Sequence, residues 1–288
     1  MNKISTLFII FLLFLGIYAV FNPKIYILPL ILGSLSFTLS IVFWSLSWDS
    51  ILRTGRKKAI LLNFLSFQGV SVPGIGTDVA RIIWAKKMKL SRSEVLSTSL
   101  IVKVFRSFFS IILLAIALIL LSKYSFDAYS FYPVILSTMF AILVFIIFIV
   151  FFQRMKFRNY YSKKIAECMR RHLEKLSITQ SMKIMFFLII SIFFEFLCVY
   201  FAVLSSGRDL TTIHYLLLGS FSSSINAVSI TPQGVGVNDA LIAWVLSSGY
   251  FKFDPQTIAS FIISYGIMRF WVPLILSFLA NMFVKSDV

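Results

Sequence analysis

Charge is scarce in this chain, and negative charge scarcest: only 13% of its 288 residues are charged, with 11 Asp and Glu against 27 Lys and Arg. Soluble domains carry roughly 25% charged residues, so an ordinary water-facing globule is excluded. Cysteine is almost absent, and Cys168 and Cys198 lack metal-ligand spacing, which removes a disulfide framework and a zinc site. The two histidines, His172 and His214, stand alone near segment ends and read as structural or interfacial. No GxSxG elbow, Walker loop or nucleophile arrangement occurs. Neither an enzyme nor a bound cofactor or metal is therefore expected.

What the chain has is apolar length: 59% of residues are hydrophobic and the mean hydropathy is +0.93. A helix crosses a bilayer with about 20 mainly apolar residues. Six runs reach that class: Ile4 to Phe21, Ile25 to Ser47, Val95 to Leu121, Phe131 to Phe152, Met182 to Ser205 and Gln256 to Val284. The first follows Lys3 and imitates a signal peptide, but no small-residue cleavage site follows it, so it reads as an uncleaved span. The formal charge of +16 sits mainly in short loops beside these runs: Arg53, Arg56, Lys57 and Lys58, then Lys86, Lys87, Lys89 and Arg92, then residues 153–181. That placement follows the positive-inside rule, rejects a nucleic-acid partner, and puts both termini in the cytoplasm of a bacterial inner membrane. The third loop repeats Phe157, Tyr161, Ile165, Met169, Leu173 and Leu176 at helical spacing, predicting a basic amphipathic helix on the membrane surface.

Two apolar stretches are too short to cross. Residues 59–90 break at Pro73, Gly74 and Gly76, and residues 213–249 break at Pro232, Gly234 and Gly236. Basic flanks predict that the first enters and leaves through the cytoplasmic face, and nearly neutral flanks that the second enters from outside. The expected fold is an all-α polytopic membrane protein, one transmembrane domain over 1–288, with about six spans and two broken re-entrant hairpins entering from opposite faces. Inverted pseudo-symmetry is an open reading, carried only by the shared Pro-x-Gly-x-Gly pattern. Interrupted helices in two halves of a membrane protein mark a midplane site, where helix N-termini face anionic groups.

The candidate headgroup or phosphate ligands are the polar residues around these breaks and inside the spans. Asp78 and Arg81 are i,i+3 neighbours behind the first break, readable as an N-cap with a local ion pair or as a phosphate-binding helix start. Asn238 and Asp239 open the helix behind the second break, where ordinary capping is the competing reading. Lys103, Arg106, Glu195 and Arg269 lie inside spans, and even generous scales charge about 2.5–3.5 kcal/mol for an ionised side chain at mid-bilayer. They should face one another or a cavity; Lys103 and Arg106 could instead snorkel, and a Glu195–Arg269 pair is conceivable.

Asn63 through Arg81 and Thr231-Pro232-Gln233-Gly234-Val235-Gly236-Val237-Asn238-Asp239 resemble the lysylphosphatidylglycerol synthetase transmembrane-region family, the flippase-like integral membrane proteins. Gln233 stands where that family usually has glycine, Asn238 where it has arginine and Asp239 where it has glutamate. Val102-Lys103-Val104-Phe105-Arg106 stands in place of an acid-Arg-x-x-Asp pattern. The resemblance implies movement of a charged or phosphorylated lipid, or a lipid-linked glycan, between leaflets. It also implies a stand-alone membrane region without the soluble transferase domain that some members carry. Two other functions stay open: a non-transporting partner that anchors a glycosyltransferase or lipid synthetase, and a membrane enzyme acting on polyprenyl phosphate through Glu195 or Asp239.

Overall fold

The computed structural model describes residue 18 and residues 23–69, 76–122, 160–227, 237–247 and 251–286. The runs 4–21, apart from Tyr18, and 131–152, and Pro73, Gly74, Pro232, Gly234 and Gly236, lie outside the described residues, as does the Asn238 side chain. Within them the chain is helical and contains no strand. The helices are α1 (Ile27–Leu52), α2 (Arg56–Ser66), α3 (Gly76–Lys87), α4 (Arg92–Ser122), α5 (Tyr160–Glu174), α6 (Ile178–Ser205), α7 (Thr212–Ala227), α8 (Val237–Ser247), α9 (Pro255–Gly266) and α10 (Val272–Ser286). A 3₁₀ turn, Phe67–Gly69, extends α2, and a π-helical turn, Ile267–Trp271, joins α9 to α10.

Four stretches are long and apolar enough to cross a membrane: Ile27–Leu52, Arg92–Ala117, Ile178–Ser205 and Pro255–Met282. They correspond to four of the six expected spans. Both interrupted segments are short helices on either side of their breaks: α2 packs against α3, and α7 against α8.

Local chemistry sets several of the ends. α1 stops because Arg53 turns left-handed at φ 52° with its N–H on the Asp49 carbonyl at 2.9 Å, and Gly55, at φ 92°, gives its N–H to the Asp49 carboxylate at 2.8 Å. The polar residues inside α1 do not break it. Ser34, Ser36, Thr38, Ser45 and Ser50 each donate to the carbonyl four residues back at 2.6–3.0 Å, so their hydroxyls are satisfied inside their own helix. For the same reason α1 runs on past the expected end at Ser47. α9 opens on Asp254, whose carboxylate accepts from the Thr257 N–H at 2.9 Å, with Pro255 in the first turn, where a missing N–H is harmless. A kink is expected at Pro273. Its ring crowds the Arg269 carbonyl one turn back, and the turn before it is π-helical.

α1 and α6 form the antiparallel axis of the bundle. They are joined by Tyr26 N–H to the Ser205 carbonyl at one end (2.9 Å), by Ser40 and Ser191 hydroxyls midway (3.0 Å), and by Phe43 stacked on Phe194 at 5.5 Å. The last span changes partners at its π turn: α9 packs on α6 and α8, and α10 on α2 and the 3₁₀ turn, where Gln68 donates to the Ser277 carbonyl at 3.1 Å. Two apolar clusters result. One, at the basic end, gathers Trp44, Trp48, Leu62, Trp84, Ile101, Ile184 and Leu188; the other gathers Cys198, Val199, Leu217, Phe221, Val245, Phe261 and Phe270.

Gly219 sets the spacing of α6 and α7: a Cβ there would stand 2.8 Å from the Phe196 ring. Gly219→Ala should therefore cost about 1–3 kcal/mol through overpacking. The check is thermal unfolding of the purified protein in detergent, where Gly219→Ala lowers the midpoint and Phe196→Leu added to it restores part of the loss.

Candidate functional site

Every candidate charge whose side chain is described interacts with a partner. The starting point is α3, whose first turn presents Asp78. Arg81, one turn on, donates from Nη1 to the Asp78 carboxylate at 2.7 Å and from Nε to the Asn63 amide oxygen on α2 at 3.2 Å. Its guanidinium also lies 5.0 Å from the centre of the fully buried Trp48 ring on α1. Asp78 therefore binds its own helix while the arginine ties α3 to α1 and α2. Asp78 is the third residue of α3, inside its first turn rather than at the N-cap, and its local partner is the ion pair with Arg81.

The same carboxylate reaches α4, accepting from the Ser99 hydroxyl at 2.8 Å and from the Lys103 ammonium. Ser99, Lys103, Arg106 and Ser110 recur at i, i+4, i+7 and i+11, so they share one face of α4 and form a polar seam about 16 Å long at about 1.5 Å per residue. Arg106 pairs with Glu195 on α6 and sits 4.7 Å from the Trp44 ring, one helical turn from Trp48 on α1. Neither α4 cation snorkels. The acids they need come from α3 and α6, so an ion-pair role survives the unusual basic composition of residues 102–106.

Glu195 continues the seam. Its second carboxylate oxygen accepts from Ser223 on α7 at 3.5 Å, and Ser223 bonds Ser110 across the interface at 2.8 Å. The neighbouring Ser222 bonds the Tyr265 hydroxyl on α9. That hydroxyl accepts from Arg269 at 3.5 Å, and the guanidinium lies 4.8 Å from the Tyr265 ring. Asp239, buried at the start of α8, acts electrostatically on Arg269. The conceivable Glu195–Arg269 pair is thus replaced by two separate arrangements, Glu195 with Arg106 and Asp239 near Arg269, bridged by Ser222 and Ser223. Gly76 opens α3 and so begins the helix that carries Asp78.

A line of polar groups runs from Asn63 to Asp239, its two halves meeting on α4 where Lys103 and Arg106 stand one turn apart. Along it four cations, Arg81, Lys103, Arg106 and Arg269, face three carboxylates, Asp78, Glu195 and Asp239, which leaves one positive charge in excess. Along this line Lys103 is the most open of the ion-paired groups, with 44% of its side chain exposed, against 18% for Arg106 and 9% for Arg81. Sequence reasoning missed Trp44, Trp48, Ser99, Ser222, Ser223 and Tyr265. Two tryptophans spaced i,i+4 near the basic end of a span were the available signal.

The remaining titratable groups fall outside this line. Burial holds the His172 imidazole on α5 below its ordinary value, with Glu94 acting against it, and His214 bonds Thr211 and packs edge-on to Phe251 at 5.3 Å. At the end opposite the basic loops, Arg208 pairs with Asp254 at 3.2 Å, and the Thr257 hydroxyl and N–H hold the Asp254 carboxyl well below the usual carboxylate range. No group of three or more His, Cys, Asp or Glu that could hold a metal occurs among the described residues.

Residues 4–277 match the family model of the lysylphosphatidylglycerol synthase TM region. The chain belongs to that family. No curated protein and no solved structure matches it. The match covers nearly the whole chain and supports a multi-pass membrane protein. This family member carries its charge line through both interrupted segments.

Removing one partner of a buried ion pair costs about 3–5 kcal/mol, because the remaining charge is left uncompensated, whereas removing both can be nearly neutral. Glu195→Gln should accordingly destabilise the fold by that order, and Arg106→Met combined with Glu195→Leu should recover most of it. Denaturant titration in detergent of Arg106→Met, Glu195→Leu and the double variant, beside Glu195→Gln, checks this; strictly additive losses in the first three would show that the pair is not coupled.

Proposed function

We propose that the protein moves a charged or phosphorylated lipid, or a lipid-linked glycan, between leaflets, with its headgroup travelling along the charge line. The observation that carries this reading is the excess positive charge on a polar seam inside a bundle whose surroundings are apolar. Such charge is expensive in hydrocarbon and is retained where an anionic group or water meets it. Lys103 is the group best placed for this. It stands about 16 Å along α4 from Arg92, at about 1.5 Å per residue, and 44% of its side chain is exposed. Family membership agrees with this class of function.

In the proposed topology the described spans are joined by runs 4–21 and 131–152, both termini are cytoplasmic, and the interrupted segments are re-entrant from opposite faces. Asp78, Arg81, Lys103 and Arg106 then receive the phosphate from the cytoplasmic side. Asn238, Asp239 and Arg269, with the glycine and proline breaks as hinges, release it on the other. No nucleotide or metal is invoked.

One observation favours the anchoring alternative. α5 packs against α4 and turns Lys163, Lys164, Arg170 and Arg171 outward, a surface suited to an acidic transferase as well as to anionic lipid. The two readings part in reconstituted vesicles carrying headgroup-labelled lipids of several classes. Transport predicts that labelled anionic lipid becomes accessible at least tenfold faster with protein than without. It further predicts that Lys103→Gln, which leaves the Asp78–Arg81 pair in place, reduces this acceleration at least tenfold without lowering the unfolding midpoint. Equal rates with and without protein across all lipids would overturn it.

A further inference from the structure

A second polar site lies at the basic end of the bundle, on a different face of α1 from the two tryptophans. There the end of α1 and the start of α6 enclose a surface-opening cavity of about 290 Å³ lined by Asp49, Ser50, Arg53, Gly55, Gln180 and Lys183. Its walls are built, not incidental. The left-handed turn at Arg53 brings its guanidinium beside the Gln180 amide, which, turned with its oxygen toward Arg53, accepts from the guanidinium while its NH₂ donates to the Lys175 carbonyl at 3.1 Å. Ser177 caps α6 beside it, its hydroxyl accepting from the Gln180 N–H at 3.2 Å. The acid in the wall, Asp49, already accepts from the Gly55 N–H at 2.8 Å. Two cations face one carboxylate, so the cavity is net positive.

Around α6 from the cavity, next to Lys183, the outward face of the helix is apolar. Met182, Phe186, Ile189 and Phe193 recur at i, i+4, i+7 and i+11 and are all more than half exposed, at 52–66%. A polar, positive cavity at the end of a span, flanked past Lys183 by an exposed apolar stripe on the same span, has the chemistry of one whole phospholipid molecule. A guanidinium with an ammonium suits a phosphate ester, and the stripe suits an acyl chain. The volume is small for a drug-sized ligand but ample for a phosphate group with its glycerol linkage.

The geometry points to a binding site for an anionic phospholipid: its phosphate lies between Arg53 and Lys183, and an acyl chain lies along Met182, Phe186, Ile189 and Phe193. The site shares no residue with the charge line from Asn63 to Asp239. It therefore stands or falls independently of the proposed transport.

The test is native mass spectrometry of the full chain after exchange from nanodiscs of phosphatidylglycerol, or of phosphatidylcholine, into a delipidating detergent. The wild type should retain one phosphatidylglycerol. Arg53→Gln with Lys183→Gln should lower that retained fraction at least fivefold, and Arg208→Gln, an exposed arginine at the opposite end, should leave it unchanged. Lys183→Gln alone gives a milder variant should the double one unfold, with an intermediate loss expected. Equal retention in wild type and double variant, or of the two lipids, would overturn the proposal. So would complete displacement of the lipid by about 10 mM inorganic phosphate, which would make free phosphate the ligand. A wild-type measurement needs no variant: spin-labelled phosphatidylglycerol should show a larger immobilised fraction than spin-labelled phosphatidylcholine, and equal fractions would count against the site.

Discussion

An ionised side chain cannot be left alone inside an apolar bundle, and the placement of the helices here can be read from that one constraint. Asp78 serves two cations, Arg81 from its own helix and Lys103 from α4. Because one carboxylate has several acceptor positions, this single residue fixes α3 against α4 while Arg81 fixes it against α2 and α1. Glu195 does the same for α4, α6 and α7. The tryptophans of α1 add a third kind of partner, since a ring face attracts a cation without contributing a counter-charge, at about 0.5–2 kcal/mol depending on desolvation. Two arginines are thereby accommodated with fewer acids than full neutralisation would require, which agrees with the chain's shortage of Asp and Glu.

The spans and the interrupted segments were legible in the sequence because they are statements about composition and length, which a chain carries locally. Asp78–Arg81 was legible for a similar reason: i,i+3 neighbours on a helix meet whatever else the protein does. Partners on different helices were not. Glu195 and Arg269 both lie near the middle of their spans, so depth alone made them candidates for each other. Helix rotation about its own axis decides the matter, turning Glu195 to α4 and α7 and placing Arg269 beside Tyr265 and near Asp239. Lys103 and Arg106 looked able to snorkel because only one helix could be seen, and the acids that hold them are 25 residues upstream and 89 residues downstream. The serines at 222 and 223 carried no sequence signal, since most hydroxyls in these helices simply bond their own carbonyls.

Those hydroxyls divide into two sets with different physical effects. Ser34, Ser36, Ser45 and Ser277 bond within their own helices and add nothing to the attachment of one helix to another. Ser40 with Ser191, and Ser110 with Ser223, cross between helices. The first crossing joins the α1–α6 axis and the second joins α4 to α7. These two hydroxyl crossings supplement the ion pairs and their hydrogen bonds, and elsewhere the helices meet through apolar packing with weak directional preference.

The π turn gives the last span an unusual grammar. An extra residue in one turn shifts everything beyond it by about 100° around the axis. α9 and α10 consequently cannot share one continuous buried stripe: the first half is written against α6 and α8, the second against α2. Single-residue deletions near Ile267–Trp271 would bring the halves into phase and strand one of them facing the wrong way, whereas substitutions within either half are read only by that half's own neighbours. The helix is one object to the membrane and two to the rest of the protein.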